Sequence, residues 1–144
     1  MDLNLSGKIA LVTGSTLGIG RSIAESLMKE GASLIINSRD ENRVSKAVEE
    51  LSHLGEVKGV TADMSTAIGV SALIDKISDP IDILINNVGY FEVKSFFEIK
   101  DEDWFEIFEL NVMSGVRLCR ELLKQMLNRD WGRIIFIGSD QSSK

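Results

Sequence analysis

Short apolar runs of β-forming residues alternate with helix-period segments along the whole chain, and that alternation leaves few folds open. Lys8 to Thr13 (KIALVT), Ser33 to Ser38 (SLIINS), Asp82 to Asn86 (DILIN) and Arg133 to Ile137 (RIIFI) read as strands, with Glu56 to Thr61 (EVKGVT) a weaker fifth. Near-continuous apolar strands suit a parallel sheet covered on both faces. Between them, Ile19 to Lys29 sets Ile19, Ile23, Leu27 and Met28 at helical spacing. Glu41 to Leu51 does the same with Val44, Val48 and Leu51, and Ala67 to Ile77 with Val70, Leu73, Ile74 and Ile77. A longer helix is predicted over Asp101 to Leu127. It carries two apolar stripes: Trp104, Phe108, Val112 and Cys119 on one, and Ile107, Leu110, Leu118 and Leu122 on the other. Gly31 and Gly55 follow two helices where a left-handed C-terminal cap favours glycine. Repeated βα units predict an α/β fold with a right-handed, doubly wound parallel sheet of about five strands. No internal linker or repeat divides residues 1–144, so one domain is expected.

Composition narrows the partners. The net charge of −6 comes without any basic block, which argues against nucleic acid or an anionic membrane surface. One cysteine and one histidine supply neither an intrachain disulfide nor a structural zinc site. Cys119 reads as a buried, reduced thiol. The N-terminal MDLNLSGK lacks a charged segment leading into a hydrophobic run, and no apolar stretch approaches the ~18 residues of a membrane span. A cytoplasmic protein is therefore expected.

The chemistry concentrates where strands end. The first strand runs into Thr13-Gly14-Ser15-Thr16-Leu17-Gly18-Ile19-Gly20 and then a helix. Gly14 permits a sharp turn, Gly18 lets backbone approach a pyrophosphate, and Gly20 lets the helix pack closely on the sheet. The helix N-terminus offers free N–H groups and a favourable dipole to phosphates. Gly14, Ser38, Asp63, Asn86 and Ser139 all fall at or just beyond carboxyl ends of predicted strands, the rim along which open α/β sheets bind ligands. At the end of the second strand, Ser38 and Arg39 stand where an NAD site usually carries a carboxylate for the ribose 2′-hydroxyl. A neutral residue removes repulsion against a 2′-phosphate, and a guanidinium can bind it in bidentate fashion. Two features leave NAD(H) open: Asp40 follows at once and could turn to the ribose, and Leu17 is not basic. Arg39 is also compatible with an ordinary solvated charge.

TGxxxGIG after the first strand and Asn86-Asn87-Val88-Gly89 after the fourth resemble the short-chain dehydrogenase/reductase family, whose second motif is usually NNAG. Asp63, Asn111 and Ser139 match in order. The resemblance implies a Rossmann-type sheet of order 3-2-1-4-5, here C-terminally truncated, and a nicotinamide dinucleotide, with NADP(H) favoured over NAD(H). It implies that Gly14, Ser15, Thr16, Gly18, Ile19 and Gly20 form the phosphate turn, that Ser38 and Arg39 meet the adenosine ribose, and that Asp63 and Met64 border adenine. Asn86 and Gly89 would flank the nicotinamide ribose, Asn111 would help hold a water-linked proton relay, and Ser139 would polarise the substrate carbonyl. By itself, Asp63 is equally compatible with a plain helix N-terminal acid, and Asn86 with satisfying buried backbone.

The family's chemistry also needs a Tyr-x-x-x-Lys pair a little over a dozen residues beyond the serine, and the pair is expected to be absent from these 144 residues. Tyr90 reads as a loop or pocket-wall aromatic, and the Asp140–Lys144 spacing carries no catalytic weight. The expectation is the N-terminal part of an oxidoreductase that moves hydride between nicotinamide and a carbonyl or secondary alcohol. The rival is a non-catalytic dinucleotide-binding or interaction module. Without further strands, the fifth strand becomes an open edge and the long helix an apolar face, so a homo-oligomer is expected.

Overall fold

The computed structural model describes residues 3–139; the Asp140–Lys144 spacing lies outside them. In chain order the elements are β1 (Ile9–Val12), α1 (Gly18–Lys29), β2 (Ser33–Ser38), α2 (Glu41–Leu51), β3 (Val57–Thr61), α3 (Ala67–Asp75), β4 (Ile83–Asn86), α4 (Asp101–Phe108), α5 (Ser114–Asn128) and β5 (Arg133–Phe136). A 3₁₀ turn at Phe96–Glu98 precedes α4, and a π-helical turn, Glu109–Met113, joins α4 to α5. All strand pairs are parallel and the sheet order is β3-β2-β1-β4-β5. The expected architecture and order are those observed.

Alternation along each strand sends side chains to two separate cores. Ala10, Val12, Leu34, Ile36, Ile83 and Ile85 pack with Ala24, Met28, Ala47 and Leu51 of α1 and α2. Leu11, Ile35 and Leu84 face the other way, onto Val70 and Leu73 of α3 and Leu118, Leu122 and Met126 of α5. The weak third strand has a local cause. At Gly59 a Cβ would collide with Val44 Cγ1 and lie 2.8 Å from Val48 Cγ2, so α2 approaches β3 too closely for a side chain.

Several local expectations need correction. Gly31 does cap α1: at φ +92° its N–H donates to Met28 O (2.9 Å), while Ala32 N–H reaches Leu27 O (3.1 Å), a Schellman closure. Gly55 does not cap α2; that place belongs to Ser52 in right-handed helical conformation. Helix α3 stops at Asp75 rather than Ile77, and Ile19, expected on the core face of α1, is 65% exposed because the small Gly20 and Ala24 take that face. The predicted single helix over Asp101 to Leu127 is broken by the π turn and ends at Asn128. The extra residue in that turn rotates α5 relative to α4. Cys119 thus leaves the stripe of Trp104, Phe108 and Val112, which is exposed, and joins the α5 core beside Leu118 and Leu122.

Candidate functional site

Helix α1 begins differently from its neighbours. Asp40 caps α2 by accepting from Arg43 N–H (3.0 Å), Thr66 caps α3 by accepting from Gly69 N–H (3.0 Å), and Asp103 accepts from Lys100 N–H (2.9 Å) at the start of α4. At α1 the capping position is Leu17, which supplies no side-chain acceptor, and the first turn holds no acidic residue. The N–H groups of Gly18, Ile19 and Gly20 precede any intrahelical acceptor. This end of the helix is suited to an anion, and its dipole favours one.

The turn feeding that helix is held from beneath. Gly14 and Gly18 have φ of +59° and +57°, left-handed values that glycine adopts without penalty. A Cβ on Gly20 would strike Gly14 O and sit 2.5 Å from Asn87 Nδ2. Asn87 Nδ2–H donates to Thr13 O (3.1 Å) and Gly14 O (3.0 Å), while the N–H groups of Asn87 and Val88 donate to Thr13 Oγ1 (3.0 and 3.1 Å). Thr13 and Asn87, neither singled out from sequence, thus staple the loop after β4 to the glycine turn. The doubled Asn of NNVG was the available signal. Ser15 is wholly buried; its Oγ accepts from Asn37 N–H (3.0 Å) and donates to Val12 O (2.6 Å). Its side chain braces the turn against β2, and Thr16 is nearly as buried.

Above the turn, a cleft of about 340 Å³ runs along the carboxyl ends of β1 to β4. It gathers Gly14, Ser38, Arg39, Asp63, Met64 and Gly89 from the predicted set, and adds Asn37, Tyr90, Glu106 and Leu110 among others. Arg39 is the only cation among its lining residues. Asp40, the competing carboxylate, is occupied as the α2 cap, and its own N–H donates to Ser38 Oγ (3.3 Å). Asp63 Oδ1 accepts from Ser65 N–H (2.9 Å) and Ser65 Oγ–H (2.8 Å). These bonds hold its carboxyl below the usual range, partly opposed by burial and helped by the Arg39 charge. The acid therefore closes a turn ahead of α3 and borders the cleft at the same time.

The remaining predicted residues lie off the cleft lining. Asn86 is 7% exposed, next to Gly115, Phe136 and the Cys119 thiol, and among the described residues no nitrogen or oxygen partner reaches its Nδ2 or Oδ1. Asn111 sits in the π turn, where its Oδ1 accepts from Tyr90 N–H and its Nδ2 donates to Tyr90 O, both at 2.8 Å. Its side chain fixes the path of the loop after Gly89. Ser139 is exposed, three residues past the end of β5.

The short chain dehydrogenase profile matches residues 8–144. The chain belongs to the short-chain dehydrogenase family. It is 47% identical over its full length to YvrD of Bacillus subtilis, an uncharacterized oxidoreductase, and 40% identical over 94% of its length to the 3-oxoacyl-acyl-carrier-protein reductase FabG of Haemophilus influenzae; it covers 56% of each. Among solved structures, the L-sorbose reductase of Gluconobacter frateurii, in complex with NADPH and L-sorbose, superposes with a TM-score of 0.94 at 37% identity, over 99% of this chain and 56% of that one. The chain thus spans a little over half the length of these relatives.

Set within a short-chain dehydrogenase, one sequence reading needs amending. Tyr-x-x-x-Lys spacing does occur, at Tyr90 and Lys94. It lies ahead of Ser139, and in an irregular loop rather than on a helix. Tyr90 O–H donates to Glu92 Oε2 (3.1 Å), and Lys94 pairs with Glu92 (2.8 Å) and Asp103 (3.2 Å). The Glu92 bond, with some burial, raises the phenol above its ordinary value, the reverse of what a proton-exchanging tyrosine needs at neutral pH. A spectrophotometric titration is expected to place the Tyr90 midpoint above that of free tyrosine, and Glu92→Gln to bring it back down. A wild-type midpoint below that of free tyrosine would refute the assignment.

Proposed function

We propose that this chain forms the dinucleotide-binding part of an oxidoreductase that transfers hydride between NADP(H) and a carbonyl or secondary alcohol. The observation that carries the reading is the uncapped N-terminus of α1 opening beside a cleft whose one cation is Arg39. Gly14, Gly18, Ile19 and Gly20 would present backbone to the diphosphate, Ser38 and Arg39 would take the 2′-phosphate, and Asp63 with Met64 would border the adenine. The nicotinamide supplies or accepts the hydride. Asn86 and Gly89 would flank its ribose, Asn111 would keep the adjoining loop in place, and Ser139 would orient the substrate oxygen. A cytoplasmic setting accords with the lack of any long apolar helix among the described residues and with the unpaired Cys119. The exposed stripe of Trp104, Phe108 and Val112 supports assembly into homo-oligomers through α4 and α5.

Fluorescence titration tests the cofactor assignment. NADPH should bind about 10- to 100-fold more tightly than NADH, the range of one charge-assisted hydrogen-bonded contact. Arg39→Ala should remove the difference while leaving NADH affinity nearly unchanged. Equal affinity of the wild-type chain for both would overturn the preference, and no binding of either would overturn the function.

The surroundings of Tyr90 favour a second reading for the 144-residue polypeptide by itself, that of a dinucleotide-binding module without turnover. Oxidation of NADPH with simple ketones that Tyr90→Phe abolishes would reverse that reading.

A further inference from the structure

The end of β2 is bordered mostly by hydrogen-bond donors and positive charge. Ser38 Oγ accepts from Asp40 N–H (3.3 Å), and its own hydrogen finds no acceptor among the described residues. Arg39 is exposed, lines the cleft and makes no ion pair among the described residues. Helix α2 follows at once, and the N–H groups of Glu41 and Asn42 precede any intrahelical acceptor. Asp40 is the exception, a carboxylate set between Arg39 and that helix. Arg43 engages both of its oxygens: Oδ1 accepts from Arg43 N–H (3.0 Å), and Oδ2 lies 3.7 Å from Arg43 Nε. The N–H bond alone completes the helix cap, so the guanidinium contact is additional. Glu41 is the next acid along; it is exposed and has no ion pair among the described residues. This corner of the molecule is remote from β5, because β1 and β4 lie between β2 and β5 in the sheet.

We propose that Arg43 is a positioning residue for cofactor choice: it holds the Asp40 carboxylate in the α2 cap and so keeps the 2′ end of the site open to a phosphate. The inference rests on the NADP(H) reading above and gives Arg43 no contact with the cofactor. Asp40 stands two residues beyond the end of β2, beside the place from which a carboxylate in an NAD site takes the ribose hydroxyl. Its side chain is 45% exposed, so packing alone does not fix its direction. The two contacts with Arg43 do. Remove the guanidinium, and Oδ2 loses its partner while the carboxylate keeps its full charge and gains freedom to turn toward the cleft. That change acts in opposite senses on the two cofactors. A 2′-phosphate meets added repulsion, whereas a 2′-hydroxyl gains an acceptor. The quantity affected is therefore the preference between them, more than the affinity for either. The effect is modest, because the Arg43 side chain is 60% exposed and water screens the pair.

The test is calorimetric titration of the 144-residue protein with 2′-phospho-ADP-ribose and with ADP-ribose, which separate this end of the site from the nicotinamide half. At about 0.15 M salt, where charges more than ~8 Å apart are screened, the wild type should favour the phosphorylated ligand. Arg43→Gln should cut that preference about 3- to 10-fold, and Arg43→Lys should restore most of it. Asparagine also caps helices well, so Asp40→Asn keeps the cap while removing the charge. In that background Arg43→Gln should cost less than about twofold, since no carboxylate remains to be held. Glu41→Gln is the comparison, and its effect should be the same with or without Arg43. A wild type without preference would overturn the NADP(H) reading and this inference with it. A preference that Arg43→Gln leaves intact would overturn the inference alone. So would an equal loss in both backgrounds, which would place Arg43 on the phosphate itself, or a Glu41→Gln effect that depends on Arg43. If Arg43→Gln does not fold, Arg43→Ala and Arg43→Lys, each with and without Asp40→Asn, decide by the same coupling.

Discussion

Gly20→Ala is expected to weaken NADPH binding by at least ~100-fold, equivalent to about 2.7 kcal/mol, and to destabilise the fold by about 2–3 kcal/mol. The methyl group would enter space already held by Gly14 O and by Asn87 Nδ2, 2.5 Å away, with Ser15 Cα at 3.0 Å. Two of those three neighbours are backbone, and the third is an amide tied to Thr13 O and Gly14 O. None can yield by a side-chain rotation alone. Relief must come from moving α1 away from the turn, which shifts the Gly18–Gly20 N–H groups, or from breaking the Asn87 staple. Gly18→Ala is the control. Its Cβ would meet nothing within 4 Å, and the cost is limited to holding alanine at φ +57°, about 1 kcal/mol. Thermal unfolding and NADPH titration of both variants separate crowding from backbone strain. Equal effects at the two positions would refute the account, since it makes Gly20 sensitive to crowding and Gly18 sensitive to φ.

The staple also explains what could be read in advance and what could not. Strands of β-branched and leucine residues, such as Ser33–Ser38, advertise a buried parallel sheet through composition alone, and β2 has the predicted bounds. The glycine turn was legible because a strand, three glycines and a helix come in fixed order. Thr13 and Asn87 were not, because their roles depend on β4 lying next to β1, a pairing of residues more than 70 positions apart. The π turn escaped for a related reason. The stripes on either side of it each fit ordinary helical periodicity, and only the tertiary tie between Asn111 and Tyr90 distinguishes the extra residue. Ser15 reads from sequence as a phosphate-loop serine, yet its hydroxyl is committed to Val12 O and Asn37 N–H. Tyr90 and Lys94 show the opposite error: the spacing is in plain view, but their loop, their shared partner Glu92 and their position ahead of Ser139 give it a different chemistry. A motif names residue types at intervals. The backbone that carries them determines which atoms meet.

Arg129→Ala is expected to lower stability by about 3 kcal/mol, corresponding to a fall of about 10 °C in Tm for a domain of this size. The reason lies at the opposite end of the sheet from the cleft. Asp82, whose side chain is 10% exposed, accepts from Arg129 Nη1 (2.8 Å) through Oδ1 and from Ile9 N–H (2.9 Å) through Oδ2. Arg129 also donates through Nη2 to Ile81 O (2.8 Å). The Asp82 backbone bonds Ile9 O and Arg133 N–H. One aspartate therefore joins the starts of β1, β4 and β5 to the end of α5. Truncating Arg129 leaves a buried carboxylate with a single N–H donor and no cation, and an unpaired buried charge costs more than the pair contributes. Asp82→Asn should be milder, about 1–2 kcal/mol, because the amide oxygen can still accept from Ile9 while no charge remains to be stranded. NADPH affinity measured well below either Tm should stay within about threefold of wild type, since energetic effects at well-separated sites without shared partners are close to independent. The decisive observation is the order of the two variants. Should Asp82→Asn prove the more damaging, the cost would arise from lost geometry at the strand starts, and the stranded-charge explanation would fall.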